Sequence, residues 1–148
     1  MDTGLKETLI GWAEEYNAPK YFQEDPIIFP TRLARKYEAG EASLADVEIA
    51  ALLAGHLAWG RRAMIVRDCN RMLDEMCWRP YDYVMNGEYR DENVSMHRTI
   101  KWHDFAAICR RLKDIYETTD SIEGMSDMEI RCRIFGQKED RKAPNKKI

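Results

Sequence analysis

Residues 49 to 59 read Ile-Ala-Ala-Leu-Leu-Ala-Gly-His-Leu-Ala-Trp, an apolar run broken only by Gly55 and His56. Gly60 and a basic pair, Arg61 and Arg62, follow at once. A helix that is apolar on every side must be surrounded, so it belongs in the middle of a helical domain. Its 11 residues are too few to cross a bilayer, which takes about 20. The rest of the chain must therefore supply amphipathic helices to cover it.

The flanking segments have that character. Leu5, Leu9, Trp12, Ala13 and Tyr16 share one helical face, which predicts a helix over Thr3 to Tyr16. Asp25-Pro26-Ile27-Ile28-Phe29-Pro30 should extend or turn, because each proline disfavours helix in the residue before it. Pro30 can open a short helix from Thr31 to Tyr37 that Gly40 ends. Ser43 with Asp46 forms a weaker capping box for the central helix, and Gly60 is placed as its left-handed cap. A helix over Arg62 to Cys77 follows, with Ile65, Cys69, Met72, Leu73 and Met76 as its stripe. Arg67, Asp68, Arg71, Asp74 and Glu75 are expected to face away.

Pro80 starts a short helix stopped by Asn86-Gly87, and a polar loop runs from Glu88 to Ser95. Phe105, Ile108, Cys109, Leu112, Ile115 and Tyr116 define a helix over His103 to Glu117. Ser126 with Glu129 caps a last helix, Asp127 to Phe135, closed by Gly136. No alternation suggests a strand, so the expected class is all-α, a single helical domain over residues 1 to 136. Residues 137 to 148 read as a polar basic tail. From Arg131 to Ile148 seven basic side chains stand against two acidic ones. A solvated tail is the favoured reading over a polyanion-binding arm.

The whole chain has a net charge of −3, so an argument for nucleic acid must be local. Asp2, Lys6 and Glu7 interrupt the first residues, leaving no readable signal peptide, and a cytoplasmic protein off the membrane is expected. Cys69, Cys77, Cys109 and Cys132 include no Cys-x-x-Cys pair, so reduced thiols are expected rather than a disulfide framework or zinc ribbon. There is no Gly-x-Gly phosphate loop, nucleophile elbow or His-Glu-x-x-His. No catalytic set and no cofactor can be derived. His56, His97 and His103 would be the ligands of a metal-dependent hydrolase, a reading that their scattered spacing disfavours.

His56 has two readings, a hydrogen-bonded core histidine or a contact residue one turn from the basic pair. Trp59 is divided in the same way, between core anchor and base-stacking surface. Arg61 and Arg62 begin a helix, where free amides already favour an anion, so guanidinium and backbone together can hold a phosphate.

Five blocks then occur in a telling order: Asp25-Pro26 with Phe29-Pro30; Asp46-Val47-Glu48-Ile49; Ala58-Trp59-Gly60-Arg61-Arg62; Pro80-Tyr81-Asp82; and His97-Arg98-Thr99. Together with Asp104-Phe105, Leu112, Ile115-Tyr116 and Ser121-Ile122-Glu123, they resemble an uncharacterised bacterial family of conserved hypothetical proteins with one domain of unknown function. That family is similar in fold to the helix-hairpin-helix DNA glycosylases of base-excision repair. The resemblance implies a multi-helix orthogonal bundle like the N-terminal part of that fold, with the helix pair near residues 44 to 77 bordering a DNA groove. His56, Trp59, Arg61, Arg62 and Arg98 are then the nucleic-acid contacts, and duplex DNA is the partner. Family members continue further, into the hairpin that grips phosphate and the aspartate expected to assist glycosidic cleavage. The expectation is therefore a catalytically incomplete chain. The alternative is a helical interaction module without a nucleic-acid role, self-associating through the stripes Ile65 to Met76 and Phe105 to Tyr116.

Overall fold

Ser43 starts the helix around which the others assemble. Its hydroxyl accepts from the Asp46 backbone N–H at 3.1 Å, and the Asp46 carboxylate accepts from the Ser43 N–H at 2.8 Å. The computed structural model of the chain describes residues 3–138. In it α1 spans Thr3–Tyr16, α2 Ile28–Glu38, α3 Leu44–Leu57, α4 Arg62–Glu75 and α5 Pro80–Asn86. A short hairpin of β1 (Ser95–His97) and β2 (Ile100–Lys101) precedes α6, Trp102–Tyr116. The last helix, α7, is one turn, Asp127–Glu129, and it widens into a π-helical turn over Ile130–Ile134.

The fold is mostly helical, as the periodicity predicts. α3 occupies the centre, with Ile49, Ala50, Leu53 and Leu57 removed from water. Phe29 and Leu33 of α2 cover one side, and the α4 and α6 stripes close the others. All the stripe residues named on α4 and α6 are buried within the chain, so neither stripe is left to seek a partner.

Four expectations need correcting. The helix after Pro26 starts at Ile28, so Phe29 is helical although it precedes Pro30. Pro30 lies in the first turn, where its missing N–H costs no helical bond. α3 ends at Leu57, three residues before Gly60. Gly60 therefore does not cap α3; it has φ +109° in the link to α4 and passes beneath Arg98. The hairpin has no counterpart in the sequence reading. Finally, Asp68 does not face away, since it is fully buried.

The cysteines are free in the described part of the chain. Burial pushes the Cys69 and Cys109 thiols up to about 12, which keeps them inert at neutral pH. No helix among the described residues is long and apolar enough to cross a membrane. Residues 139–148, most of the basic tail, lie outside the described residues.

A cationic corner built on a buried aspartate

β1 lies against α4, and this packing buries Asp68 and His97 together. Each is within 1% of full burial. The His97 Nδ1 is 2.7 Å from Asp68 Oδ2, and its Nε2 is 3.1 Å from the Trp59 carbonyl oxygen. Both ring nitrogens thus face oxygen acceptors. The hairpin is tied in this way to α4 and to the α3–α4 link.

Asp68 has further partners on its own helix. Arg67 donates to it from Nε at 2.8 Å and from Nη2 at 3.2 Å, and Arg71 lies 3.4 Å away. Arg71 also reaches the Met96 carbonyl of β1 at 3.4 Å. Burial pushes the Asp68 carboxyl up, but hydrogen bonds from Arg67 and His97, and their charge, outweigh it. The net result lies below the ordinary carboxylate value. One carboxylate is therefore shared among Arg67, Arg71 and His97.

The hairpin tip is Arg98-Thr99, a two-residue turn between His97 and Ile100. Of the two, only Arg98 has positive φ, at 54°. Positive φ in a two-residue hairpin turn is ordinarily taken by glycine, asparagine or aspartate. Here the position carries a long cationic side chain. The Ser95 hydroxyl donates to the Arg98 carbonyl at 2.7 Å, and the guanidinium lies over the Trp59 ring, 4.5 Å from its centre. Trp59 in turn meets the His97 ring edge-on, with centres 5.7 Å apart. A Cβ on Gly60 would stand 2.5 Å from Arg98 Nη1, so the glycine makes room for this layer.

Arg61 and Arg62 continue from the same link. Arg61 is the N-cap of α4 and supplies no side-chain cap; the first helical bond is from the Ile65 N–H to the Arg61 carbonyl. The amides just inside the helix are left open, as helix starts leave them. Arg61, Arg62 and Arg98 are exposed, and none makes an ion pair among the described residues.

The structure thus brings Arg98 onto Trp59, with Arg61 and Arg62 following in the same link to α4. His56 is half-buried in the last turn of α3, stacked on Phe135 with centres 4.4 Å apart. Burial, and then the charge of His97, lower it below 6.5, so it is neutral at pH 7. Asp68, His97, Arg67 and Arg71 are the members that sequence reasoning missed. The signal was present in the His-Arg-Thr block, which named the hairpin's residues without their partner.

His103 lies elsewhere, on the surface with Asp91 at 2.7 Å, so the three histidines do not converge. Among the described residues no group of three or more metal-ligating side chains forms. A cleft of about 640 Å³ also lies elsewhere, between Lys36, Ser43, Asp46, Trp78 and Arg79. Its buried acid, Asp46, is already used by Ser43 and by the Tyr81 N–H at 2.9 Å. Chemistry is better provided at the corner.

Residues 25–144 match the family described as "Protein of unknown function (DUF2400)". The chain belongs to this family. The matched range takes in the corner, the hairpin and the whole core, and leaves out α1. No curated protein and no solved structure matches the chain.

Proposed function

We propose that this member of the family binds duplex DNA through backbone phosphate, as part of a DNA-glycosylase-like fold, and that the described residues serve binding rather than base excision. One observation carries the reading. Arg61 and Arg62 stand at the open start of α4, and Arg98 packs on Trp59 and Gly60 of the adjoining link; all three are exposed and make no ion pair among the described residues. Exposed guanidinium groups beside a helix start are the groups that an oxyanion pairs with most readily. Phosphate oxygens accept from guanidinium in a two-pronged geometry, and the amides of a helix start add to it.

The strain at Arg98 supports the same assignment. A non-glycine residue at positive φ costs on the order of 1 kcal/mol and persists where the surroundings over-determine it, often at functional sites. Trp59 anchors Arg98 from beneath, leaving the guanidinium as the group presented outward. Asp68, held by Arg67, Arg71 and His97 and closed to water, is a poor carboxylate for assisting glycosidic cleavage. That favours a binding role for the corner.

The test is fluorescence anisotropy of a labelled duplex across a series of salt concentrations. Each phosphate neutralised contributes about 0.9 to the slope of log affinity against log salt. The Arg61→Ala, Arg62→Ala double variant is expected to lower that slope by about 1.8 and to weaken binding on every sequence alike. An unchanged slope and affinity would remove the corner from the interface. Strong turnover of damaged duplexes by this chain would overturn the non-catalytic part of the proposal.

A further inference from the structure

The first half of α4 carries a one-signed surface in a chain whose net charge is −3. From Arg61 to Arg71 the exposed residues are Arg61, Arg62, Ala63, Arg67, Asn70 and Arg71. Four are arginine and none is acidic. The only carboxylate in that stretch is Asp68, which is fully buried. Acids return at Asp74 and Glu75, and both are engaged. Asp74 accepts from the Trp78 Nε1 at 2.9 Å, and Glu75 lies 3.9 Å from Arg90. The hairpin packed beside α4 continues the pattern. From Ser95 to Lys101 it holds no acid, and its exposed cations are Arg98 and Lys101, the latter bonded only to the neutral Asn93 side chain at 2.6 Å.

Asp68 orients two of the arginines without covering them. Arg67 grips it through Nε and Nη2 yet has a side chain 62% exposed, and Arg71 meets it at 3.4 Å while 43% exposed. A guanidinium has five N–H donors, so donors remain on the solvent side of both. Ala63, Arg67, Asn70 and Arg71 stand at i, i+4, i+7 and i+8, which places them on one face. The two that are not arginine are short, so nothing bulky stands in front of the charges. From Arg62 to Arg71 the helix advances about 13 Å, at 1.5 Å per residue. One strand of duplex DNA presents a phosphate about every 3.4 Å of its axis, so several can lie along that length.

We infer that the ligand of this surface is a run of consecutive phosphates on one DNA strand, lying along α4 beside the hairpin, with Arg67 and Arg71 as contacts beyond the corner. The inference rests on the DNA-binding reading above and extends it from one anchoring point to a track. Arg61 and Arg62 take the strand at the helix start, and Arg67 and Arg71 hold it further along. A lone phosphate occupies only one end of such a site.

Anisotropy of a labelled duplex across a salt series tests the track in the full chain. Arg67→Gln with Arg71→Gln is expected to lower the slope of log affinity against log salt by about 1.8, on top of the loss from the Arg61, Arg62 double variant. Both arginines also hold Asp68, so a lysine pair separates the two roles. Arg67→Lys with Arg71→Lys keeps both charges for phosphate but gives up the two-pronged grip on the carboxylate, and it should rescue the slope that the glutamine pair loses. A glutamine pair with the parent slope would overturn the track. If the Arg61, Arg62 variant still lowers the slope, the corner remains as the whole site; if that variant is silent too, the corner falls with it. Glutamine and lysine pairs that lose slope alike would also overturn the track, because the weakened tie to the hairpin would then explain the loss. The parent supplies a check that needs no variant: inorganic phosphate at constant ionic strength should leave the duplex bound, and displacement would mean a site for one phosphate and no track.

Discussion

Asp68→Asn is the sharpest probe of how the corner is held. The substitution keeps the size of the side chain and removes its charge. Asp68 is fully buried, and it accepts from His97 at 2.7 Å and from Arg67 at 2.8 and 3.2 Å. Breaking a buried ion pair by removing one partner costs about 3–5 kcal/mol, because the other is left desolvated. The exposure of Arg67 to solvent relieves part of this, but His97 has no such relief, so about 3 kcal/mol is expected. In a protein of this size that lowers the melting temperature by about 6–12 °C. His97→Gln should cost about 2 kcal/mol, through the lost hydrogen bond to Asp68 and the weakened hold on the Trp59 carbonyl. The double variant should fall short of the sum by more than 1 kcal/mol, as residues in one network do. Urea unfolding followed by circular dichroism reads all four proteins. Additivity within about 0.5 kcal/mol would refute the idea that the pair is one unit. The parent should also show a particular acid sensitivity. Its Asp68 carboxyl lies below the ordinary 3.8, so the stabilisation is complete above that pH and is lost as pH falls through the lower folded value.

His56 has the opposite charge type but the same sign of dependence. Its folded value lies below 6.5, so the unfolded chain takes up the proton first and stability declines as pH falls beneath 6.5. His56→Phe keeps a ring against Phe135, and its urea midpoint should fall less than the parent's between pH 7.5 and 5.5; equal falls would contradict this. Gly60→Ala places a Cβ at φ +109°, against Arg98, and should cost about 1–2 kcal/mol in a thermal melt. An unchanged melt would mean that the link relaxes freely. Cys77 stands at φ 52° where α4 ends, with its N–H on the Asp74 carbonyl at 2.9 Å and that of Trp78 on the Leu73 carbonyl at 2.8 Å. Glycine is the usual residue there, so Cys77→Gly should stabilise by about 0.5 kcal/mol, and a lower melting temperature would argue that the thiol packs productively.

Helix boundaries were legible where a local chemical device sets them. Ser43 with Asp46, Ser126 with Glu129, and Asn86-Gly87 each satisfy terminal backbone groups from residues three or four positions away, and such pairs stand in the sequence itself. The stripes of α4 and α6 were legible for a similar reason, since burial follows one period along one helix. The hairpin was not. β1 and β2 have three and two residues, too few for alternation to register, and the Arg98-Thr99 turn lacks the glycine or asparagine that usually marks one. The end of α3 was misplaced because Gly60 has the residue type of a cap, whereas its task is to clear space for Arg98.

Asp68 was hidden for a different reason. Arg67 before it and Arg71 one turn after it make this stretch of α4 read as a solvated ion-paired face, and each of those contacts is real. What buries the aspartate is β1, which brings His97 across from 29 residues away. The arrangement determines which cations remain free. Had Asp68 been exposed on the surface, it would have been a competing counter-charge for Arg61, Arg62 or Arg98. Enclosed by β1 and held by Arg67, Arg71 and His97, it instead fixes the hairpin against α4. The corner's outward face is then left with positive charge and open amides. A tertiary contact thus converts an ordinary ion-paired helix face into an enclosed tie between α4 and the hairpin, and no window of sequence around residue 68 could have disclosed it.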